Sequence, residues 1–243
     1  LSSDQVAALS TAQIAAIDAL DMRQVKTAAI AAMSTEQVAA MTSAQVATLS
    51  TAQVAALSST QIGAIETADI VALQSAQFAV LNSDQASALS ASQVAAIDAT
   101  DIRALSTGVM ASLNSDQLAA LSTVQIGQLS TSQIMALTSK QIMAFETDQI
   151  AALKTAQIVA MGSEDFKALS IEQIAVLDSA QIRALQTADI VALTTAQFAA
   201  LSTEQLAALT TAQLSAIETA DLRQLSTLQI ASLSSGQIAA LTT

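Results

Sequence analysis

Residues 193–209 read LTTAQFAALSTEQLAAL, two copies of an eight-residue unit followed by the first residue of a third. The same unit fills the chain, because a bulky apolar residue stands at position 1 and at every eighth position up to Leu241, without insertion or deletion. We number each octad from that residue, and its consensus is Leu-Ser-Thr-Ala-Gln-Ile-Ala-Ala. Residues 1–243 therefore form a single repeat array of thirty octads plus the three-residue stub Leu241–Thr243.

The composition excludes most catalytic chemistry. The chain contains no His, Cys, Pro, Trp or Tyr, so imidazole bases, thiolate nucleophiles, disulfides and soft metal sites are absent. The many Ser and Thr residues have no His and no Ser-x-x-Lys arrangement to activate them. We expect no enzyme, and the sequence predicts no catalytic residue, no cofactor-binding residue and no metal ligand.

Charge and hydropathy limit the partners. The chain has 8 basic and 20 acidic residues, a net charge of −12, which opposes binding to the phosphate backbone of a nucleic acid. Apolar residues make up 52% of the chain and charged residues only 12%, which is too apolar for the disordered class. Ser, Thr, Gln or a charge interrupts every apolar stretch, so we expect no membrane insertion.

The octad separates a core side from a solvent side. Positions 1 and 6 are apolar in all thirty octads, and position 8 is nearly always Ala. All 28 charged residues, the 8 basic and 20 acidic ones, lie at positions 2, 4, 5 or 7. We expect positions 1 and 6 to form the core, and the small residues at position 8 to allow a close approach of backbones.

Three backbone conformations compete for this pattern. In one continuous helix, eight residues turn through about 800°, so the apolar stripe drifts about 80° per octad, which rules out a straight rod or coiled coil. A β-solenoid is the alternative to a helical fold, although it favours β-branched and aromatic residues in alternation over Ala-rich runs. The third conformation is one very short helix in each octad.

A capping box supports the short helix. With Ser or Thr of position 2 as N-cap, Gln of position 5 is the third helical residue, whose side chain reaches back to the cap amide. The same register makes positions 1 and 6 the partners of a hydrophobic staple. Where position 2 is Lys, Glu or Gln, Ser or Thr follows at position 3, which leaves the cap open between positions 2 and 3. Gln occupies position 5 in 22 octads and Asp in six more: Asp21, Asp69, Asp101, Asp165, Asp189 and Asp221.

A helix of this length is unstable alone, because isolated helices need roughly 12 to 15 residues. The two bulky side chains of an octad contribute about 1.5 to 3 kcal/mol each when buried, less than the cost of ordering eight residues. Successive octads must therefore stack on one another. We predict an all-α solenoid, a superhelix of very short capped helices with one helix per octad.

The Arg residues suggest a longer period. Arg23, Arg103, Arg183 and Arg223 all occupy position 7, and an acid stands at position 2 of each of their octads. The separations of 80, 80 and 40 residues predict about five octads per superhelical turn, with the charges in a column along one side. Duplication of an 80-residue unit is the other explanation.

Four acidic pairs are the best candidates for a cation site, since residues three apart share a helical face. They are Asp18 with Asp21, Glu66 with Asp69, Asp98 with Asp101, and Glu218 with Asp221. Calcium takes about six to eight oxygen ligands, and no calcium-loop spacing with its glycine is present. Three pairs have an Arg in the same octad that we expect to neutralise them, so a solvated or salt-bridged face is the simpler interpretation.

One apolar spot stands out on the solvent side. Met135 and Met143 occupy position 7 of successive octads, and we expect them to be exposed close to Gly127. Such a spot is a candidate contact for a protein partner.

The octads, well shown by Leu49–Ala56 and Leu193–Ala200, resemble the long octapeptide-repeat arrays of very large bacterial secreted or surface proteins of adhesin type. This resemblance covers the whole chain. It implies an extracellular or bacterial cell-surface location and a role as a stalk or spacer.

Our leading hypothesis is a non-enzymatic structural repeat segment, a stiff spacer, stalk or scaffold in a larger surface or secreted protein. The rival hypothesis is a binding module for calcium or a protein ligand along the acidic and Arg column. The array starts in full phase at Leu1 and stops within an octad at Thr243, without a polar terminal repeat. We therefore expect a segment excised from a longer array, whose open ends associate end to end.

Overall fold

A computed structural model describes residues 1–241, and Thr242 and Thr243 of the stub lie outside the described residues. The chain divides into two compact units, Leu1–Gln128 and Leu129–Thr243. In both units each octad carries one helix of four to six residues. The predicted all-α solenoid is confirmed. The β-solenoid alternative is wrong, because residues 1–241 contain no strand: the capping signals of each octad turn the Ala-rich run into a helix.

Unit 1 comprises fifteen α-helices and one 3₁₀ helix within the described residues. They are α1 (Ser3–Ala7), α2 (Thr11–Ala15), α3 (Ala19–Gln24), α4 (Thr27–Ala31), α5 (Thr35–Ala39), α6 (Ser43–Thr48), α7 (Thr51–Ala56), α8 (Ser59–Gly63), α9 (Thr67–Ile70), α10 (Ser75–Phe78), α11 (Ser83–Ser87), α12 (Ala91–Ala96), the 3₁₀ helix η1 (Asp101–Ala104), α13 (Thr107–Ser112), α14 (Ser115–Ala119) and α15 (Thr123–Gln128).

Unit 2 continues with fourteen α-helices up to residue 241. They are α16 (Thr131–Met135), α17 (Ser139–Met143), α18 (Thr147–Ala151), α19 (Thr155–Ala160), α20 (Ser163–Ala168), α21 (Ile171–Ala175), α22 (Ser179–Ala184), α23 (Thr187–Ala192), α24 (Thr195–Ala199), α25 (Thr203–Ala208), α26 (Thr211–Ser215), α27 (Thr219–Leu222), α28 (Thr227–Ala231) and α29 (Ser235–Ala240).

The helices begin where the capping box predicts. At the start of α25, the Ser202 hydroxyl accepts a hydrogen bond from the Gln205 amide at 3.1 Å, and Gln205 Oε1 accepts one from the Ser202 amide at 2.9 Å. The N-cap of α1 is Ser2 and that of α29 is Ser234, both at octad position 2. This settles the choice between positions 2 and 3 in favour of position 2. The 3₁₀ helix η1 differs, because its N-cap is Thr100.

A poor cap at position 2 is not replaced by the residue at position 3. Glu146, for example, remains the N-cap of α18, and its side chain accepts no cap hydrogen bond. Its amide still donates to Gln149 Oε1 at 2.7 Å. The same N-cap position without a side-chain bond is found at Lys26, Glu66, Gln74, Lys154, Gln186 and Glu218. In four of these octads the N-cap amide donates to the side chain at position 5, which is Gln77, Gln149, Gln157 or Asp189. The octad of Lys26 has Ala29 at that position.

The predicted core positions are confirmed. Every position 6 residue from Val6 to Leu214 and every position 1 residue from Val25 to Leu209 is buried. Phe78, Phe166 and Phe198 at position 6 are among the largest fully buried side chains. Between these limits the two apolar positions of each octad line the inside of the solenoid, as the hydrophobic staple requires. Towards the ends of the chain the predicted core residues Leu1, Ile230 and Ile238 are exposed.

Within each unit, helices pack against the helix three octads further along the chain. In unit 1, α1 packs on α4 and α4 on α7; in unit 2, α16 packs on α19 and α19 on α22. Hydrogen bonds between turns join residues 25 to 31 apart, so one turn takes between three and four octads. The predicted turn of about five octads is wrong, because two apolar side chains per octad cannot fill the wider core that such a turn encloses.

Turns approach each other closely where small residues meet. A Cβ atom added at Gly63 in α8 would lie 2.8 Å from the carbonyl oxygen of Ala88, which occupies position 8 three octads later. Glycine is required there because any side chain would push the two turns apart. This contact supports the expectation that position 8 is kept small for close backbone approach.

Candidate functional site

The polar side chains that lie between turns form the most distinctive feature of the molecule. We call the contact between a helix and the turn of the solenoid that precedes it a seam. The side chain at octad position 5 lies in this seam. Position 5 glutamines from Gln37 to Gln213, and Gln237, are buried, with Gln205 only 3% exposed, whereas Gln229 is half-buried and Gln5 and Gln13 in the first turn are exposed.

A seam glutamine joins two turns with one amide group. Its Oε1 atom accepts from the N-cap amide of its own helix, as the capping box predicts. Its Nε2 atom donates to main-chain carbonyl oxygens of the preceding turn. For Gln205 these are Ile174 at 2.8 Å, Ala175 at 3.3 Å and Leu177 at 2.9 Å. The same amide therefore caps a helix and connects it to the turn before.

The connection repeats in both units. In unit 1, Gln45 Nε2 donates to Ile14 at 2.8 Å and to Ile17 at 2.6 Å. In unit 2, Gln213 Nε2 donates to Ile182 at 3.0 Å and to Leu185 at 2.7 Å. The acceptors always lie 28 to 31 residues earlier, at octad positions 1, 6 and 7. Sequence reasoning assigned these glutamines a capping role and missed their role between turns.

Aspartate at position 5 forms a seam in which the hydrogen bond between turns runs in the opposite direction. Asp189 Oδ2 accepts from the Gln186 amide at 2.8 Å, which keeps the capping half of the interaction. Asp189 Oδ1 accepts a hydrogen bond from the Ser163 hydroxyl of the preceding turn at 3.0 Å. Where glutamine donates to the turn before it, aspartate therefore accepts from it.

A serine at position 3 supplies this donor in the other aspartate seams. Ser139 donates to Asp165 at 2.7 Å, and Ser43 and Ser75 donate to Asp69 and Asp101. In all four pairs the serine lies 26 residues before the aspartate. Asp221 differs, because the residue 26 positions earlier is Thr195.

The two octads without a polar residue at position 5 use serine in the same way. Val109 and Ala29 stand there, and the serines 26 residues earlier are Ser83 and Ser3. Ser83 donates to the carbonyl oxygen of Gly108 at 3.2 Å, and Ser3 donates to that of Ala28 at 3.1 Å. A hydroxyl thus connects the turns where glutamine is missing.

The sequence carries this pairing as a detectable signal. Of the 27 octads that have a third predecessor, 7 lack Gln at position 5, and 6 of those 7 have Ser 26 residues earlier. Among the other 20 octads, only 3 have Ser at the corresponding place. A search for residue pairs at this spacing would have found the seams and the length of the turn without a structure.

In two of the four candidate acidic pairs one carboxylate is buried and the other exposed, whereas Asp18 and Asp21 are both exposed. Asp69 and Asp221 are buried in seams, whereas Glu66 and Glu218 are exposed N-cap residues. Asp98 accepts from the amide and the hydroxyl of Thr100 at 2.8 and 2.7 Å, and these hydrogen bonds lower the pKa of its carboxyl group. Among residues 1–241, no three acidic side chains come together as ligands for one metal ion.

The Arg residues do not neutralise these pairs as we expected. The ion pair found in the described part of the chain joins Lys167 and Glu164, 3.8 Å apart and both exposed. Arg23 belongs to the octad of α3, which stacks with α6 and α9, whereas Arg103 lies in η1, which stacks on α10. These two residues therefore do not share one stack of helices in unit 1.

Unit 2 carries the predicted exposed methionines. Met135 is 70% exposed and Met143 is 52% exposed. Met143 borders a surface groove together with Phe145, Glu146, Ala168 and Ser170. The predicted exposure of both methionines is confirmed, and no contact in the structure identifies a partner for them.

The helices of residues 1–241 are also too short and too polar to cross a lipid bilayer.

The Gln205→Glu substitution tests the seam. It keeps the shape of the side chain but replaces the Nε2 donor by an acceptor that faces three carbonyl oxygens, so we expect a loss of about 2–4 kcal/mol in the free energy of unfolding at neutral pH. Denaturant unfolding measures this loss. Gln13→Glu is the matched control, because Gln13 makes the same capping box without a preceding turn. Equal losses in both variants would contradict the role of Gln205 between turns.

Comparison with known proteins agrees with these repeats. A family model for the ALTTAQ repeat matches the chain nine times, at residues 14–51, 40–64, 62–97, 94–131, 110–145, 142–179, 158–188, 182–217 and 214–243. Together these matches cover residues 14–243, including the caps and seams described above. No curated protein matches the chain. The chain therefore belongs to the ALTTAQ repeat family.

Proposed function

We propose that this chain is a non-enzymatic structural segment, a stiff spacer, stalk or scaffold that holds other parts of a larger protein apart. The observation that carries this proposal is the repetition of the seam. Within each unit, helices are held to the preceding turn by buried apolar residues and, in the seams described above other than that of Asp221, by a side-chain hydrogen bond from Gln or Ser. Because the stabilising contacts are spread evenly over neighbouring repeats, no single segment within a unit is a natural hinge.

The seams also argue against catalysis. The Ser163–Asp189 pair is one of four in which a serine donates to a carboxylate, the arrangement in this chain that comes closest to an activated hydroxyl. Asp189 is 2% exposed and lies between two turns, so a substrate cannot reach the pair. Hydroxyl activation also needs a base matched to the working pH, which a carboxylate alone does not provide.

The location outside the cell rests on the resemblance to the arrays of secreted and surface proteins. An acidic surface with a net charge of −12 keeps such a segment soluble and discourages non-specific association. Secretion of the full-length protein, tested by fractionation of the cells that make it, would support this location, and retention in the cytoplasm would contradict it.

Spin labels measure the stiffness directly. The chain has no Cys, so Thr11→Cys and Thr107→Cys provide two exposed sites in unit 1 that are separated by four seams along α2, α5, α8, α11 and α13. We expect a single narrow distance distribution in pulsed electron resonance. Gln37→Ala with Gln61→Ala removes two of the seam glutamines and should broaden it, whereas the exposed Gln13→Ala should not. A broad distribution in the doubly labelled parent would refute the stiff spacer.

The rival function is a binding module for calcium or a protein ligand. Calcium binding predicts a saturable rise in melting temperature, because a ligand of the folded state stabilises it by linkage. Under the spacer proposal, millimolar calcium should raise the melting temperature of the chain no more than the same concentration of magnesium. A saturating, calcium-specific rise that is lost in Glu66→Gln would favour the rival.

We also propose that the chain associates end to end. Gln5 and Gln13 present their Nε2 atoms in the first turn with no acceptor among the described residues. A second copy could offer its carbonyl oxygens to these two donors. Sedimentation should show mass increasing with concentration, and the increase should be smaller in Gln5→Glu with Gln13→Glu. A strict monomer at high concentration would contradict the association.

A further inference from the structure

The aspartate seams leave one main-chain group without a partner. In glutamine seams the carbonyl oxygen at position 1 of the preceding turn receives Nε2, as Leu169 receives Gln197 at 2.6 Å and Leu177 receives Gln205 at 2.9 Å. Met161 and Leu137 hold the equivalent positions beneath Asp189 and Asp165. Neither of their carbonyl oxygens accepts a hydrogen bond from a residue that the structure describes, although both residues are buried.

The missing donor follows from the chemistry of the side chain. Asp189 Oδ2 takes the role of Gln Oε1 at the N-cap amide, so Oδ1 takes the role of Nε2. An ionised carboxylate has only acceptors, whereas a neutral carboxyl group has one O–H donor. Protonation of Oδ1 therefore gives aspartate the donor that glutamine has. The Ser163 hydroxyl can still donate to the second lone pair of the same oxygen.

We propose that the Asp189 seam is an acid-closing contact: on protonation Asp189 donates to the carbonyl oxygen of Met161, and the seam then has the bonding pattern of a glutamine seam. The proton comes from solvent, and no covalent bond to carbon changes. The seam of Asp165 likewise contains a hydrogen bond from a serine, Ser139, above the position 1 carbonyl of Leu137. The contact at Asp189 thus tightens as the surroundings become acidic.

The charged groups around Asp189 are consistent with its protonation. Helix α23, which carries Asp189, packs on α20 and α26. From α20 it meets Asp165, together with Glu164 and Lys167, which pair with each other; α26 contains no charged residue. Along the chain the preceding octad contributes Asp178 and Arg183, and the following octad contributes no charge. No cation forms an ion pair with Asp189 in the described residues.

The pKa of Asp189 is raised above its ordinary value. Burial is the main cause, and the negative charge of Asp165 adds to it, while the hydrogen bonds from Gln186 and Ser163 act in the opposite direction. A folded-state pKa above the unfolded one means that the folded protein binds the proton more tightly. The free energy of unfolding therefore gains a contribution as pH falls through the window just above 3.8, and loses it as pH rises.

The test compares the wild type with Asp189→Gln, which places the consensus residue at position 5 and is expected to fold. Carboxyl-carbon resonances titrated by NMR should place Asp189 above the ordinary aspartate range. Local hydrogen exchange around Met161, corrected for the intrinsic rate, should become more protected in the wild type as pH falls from 7 to 4. The protection should change about tenfold for each unit by which the pKa is displaced. In Asp189→Gln the protection should already be high and should not depend on pH.

Two further variants test the role of the Asp189 carboxyl group. Ser163→Ala removes a hydrogen bond to the carboxylate, so it should raise the pKa of Asp189 further and enlarge the pH-dependent change in protection. Asp84→Gln, which removes an exposed carboxylate at position 4, should behave like the wild type. Equal pH dependence of protection in the wild type and Asp189→Gln would overturn the proposal, as would greater protection of the wild type at neutral pH.

Discussion

The fold depends on one amide group used twice. A five-residue helix cannot persist by itself, and an apolar core built from two side chains per octad does not specify which turn packs on which. The position 5 glutamine supplies both missing elements, because Oε1 caps the start of the helix while Nε2 connects it to the preceding turn by two or three hydrogen bonds. A buried amide with every donor and acceptor satisfied is costly to disturb, since each lost partner leaves a polar group away from water.

Octads without glutamine at position 5 also need a side-chain hydrogen bond between turns. Where Asp, Ala or Val stands at position 5, a serine in the preceding turn supplies the hydroxyl that crosses the seam. Threonine at position 3 is common elsewhere in the array but stands at only one of these seven seams. The array therefore connects turns in two ways. Which one is used depends on both the residue at position 5 and the residue 26 positions before it.

How much of the structure could be predicted depends on how far apart in the sequence the interacting residues lie. Helix starts, the two core positions and the solenoid itself depend on residues within one octad, such as Ser202 and Gln205, and all were predictable. The number of octads per turn depends on contacts 25 to 31 residues apart, and the Arg spacing misled because charged residues at position 7 point to solvent and do not set the turn. The second role of glutamine was hidden because capping already accounted for it. Its burial, only 3% exposed at Gln205, is the sign that capping alone does not explain.

The spacing between seam partners also restricts how such an array can evolve. Neighbouring octads are so alike that recombination between them would add or delete whole repeats and keep the eight-residue phase intact. Such an insertion or deletion would, however, change which residues meet between turns. One octad inserted after residue 176 would leave the core pattern unchanged, yet it would place Ile171 instead of Ser163 beneath Asp189. Gain or loss of an octad therefore preserves the contacts between turns only where glutamine stands at position 5. A serine–aspartate pair is kept only if the 26-residue spacing between its members does not change.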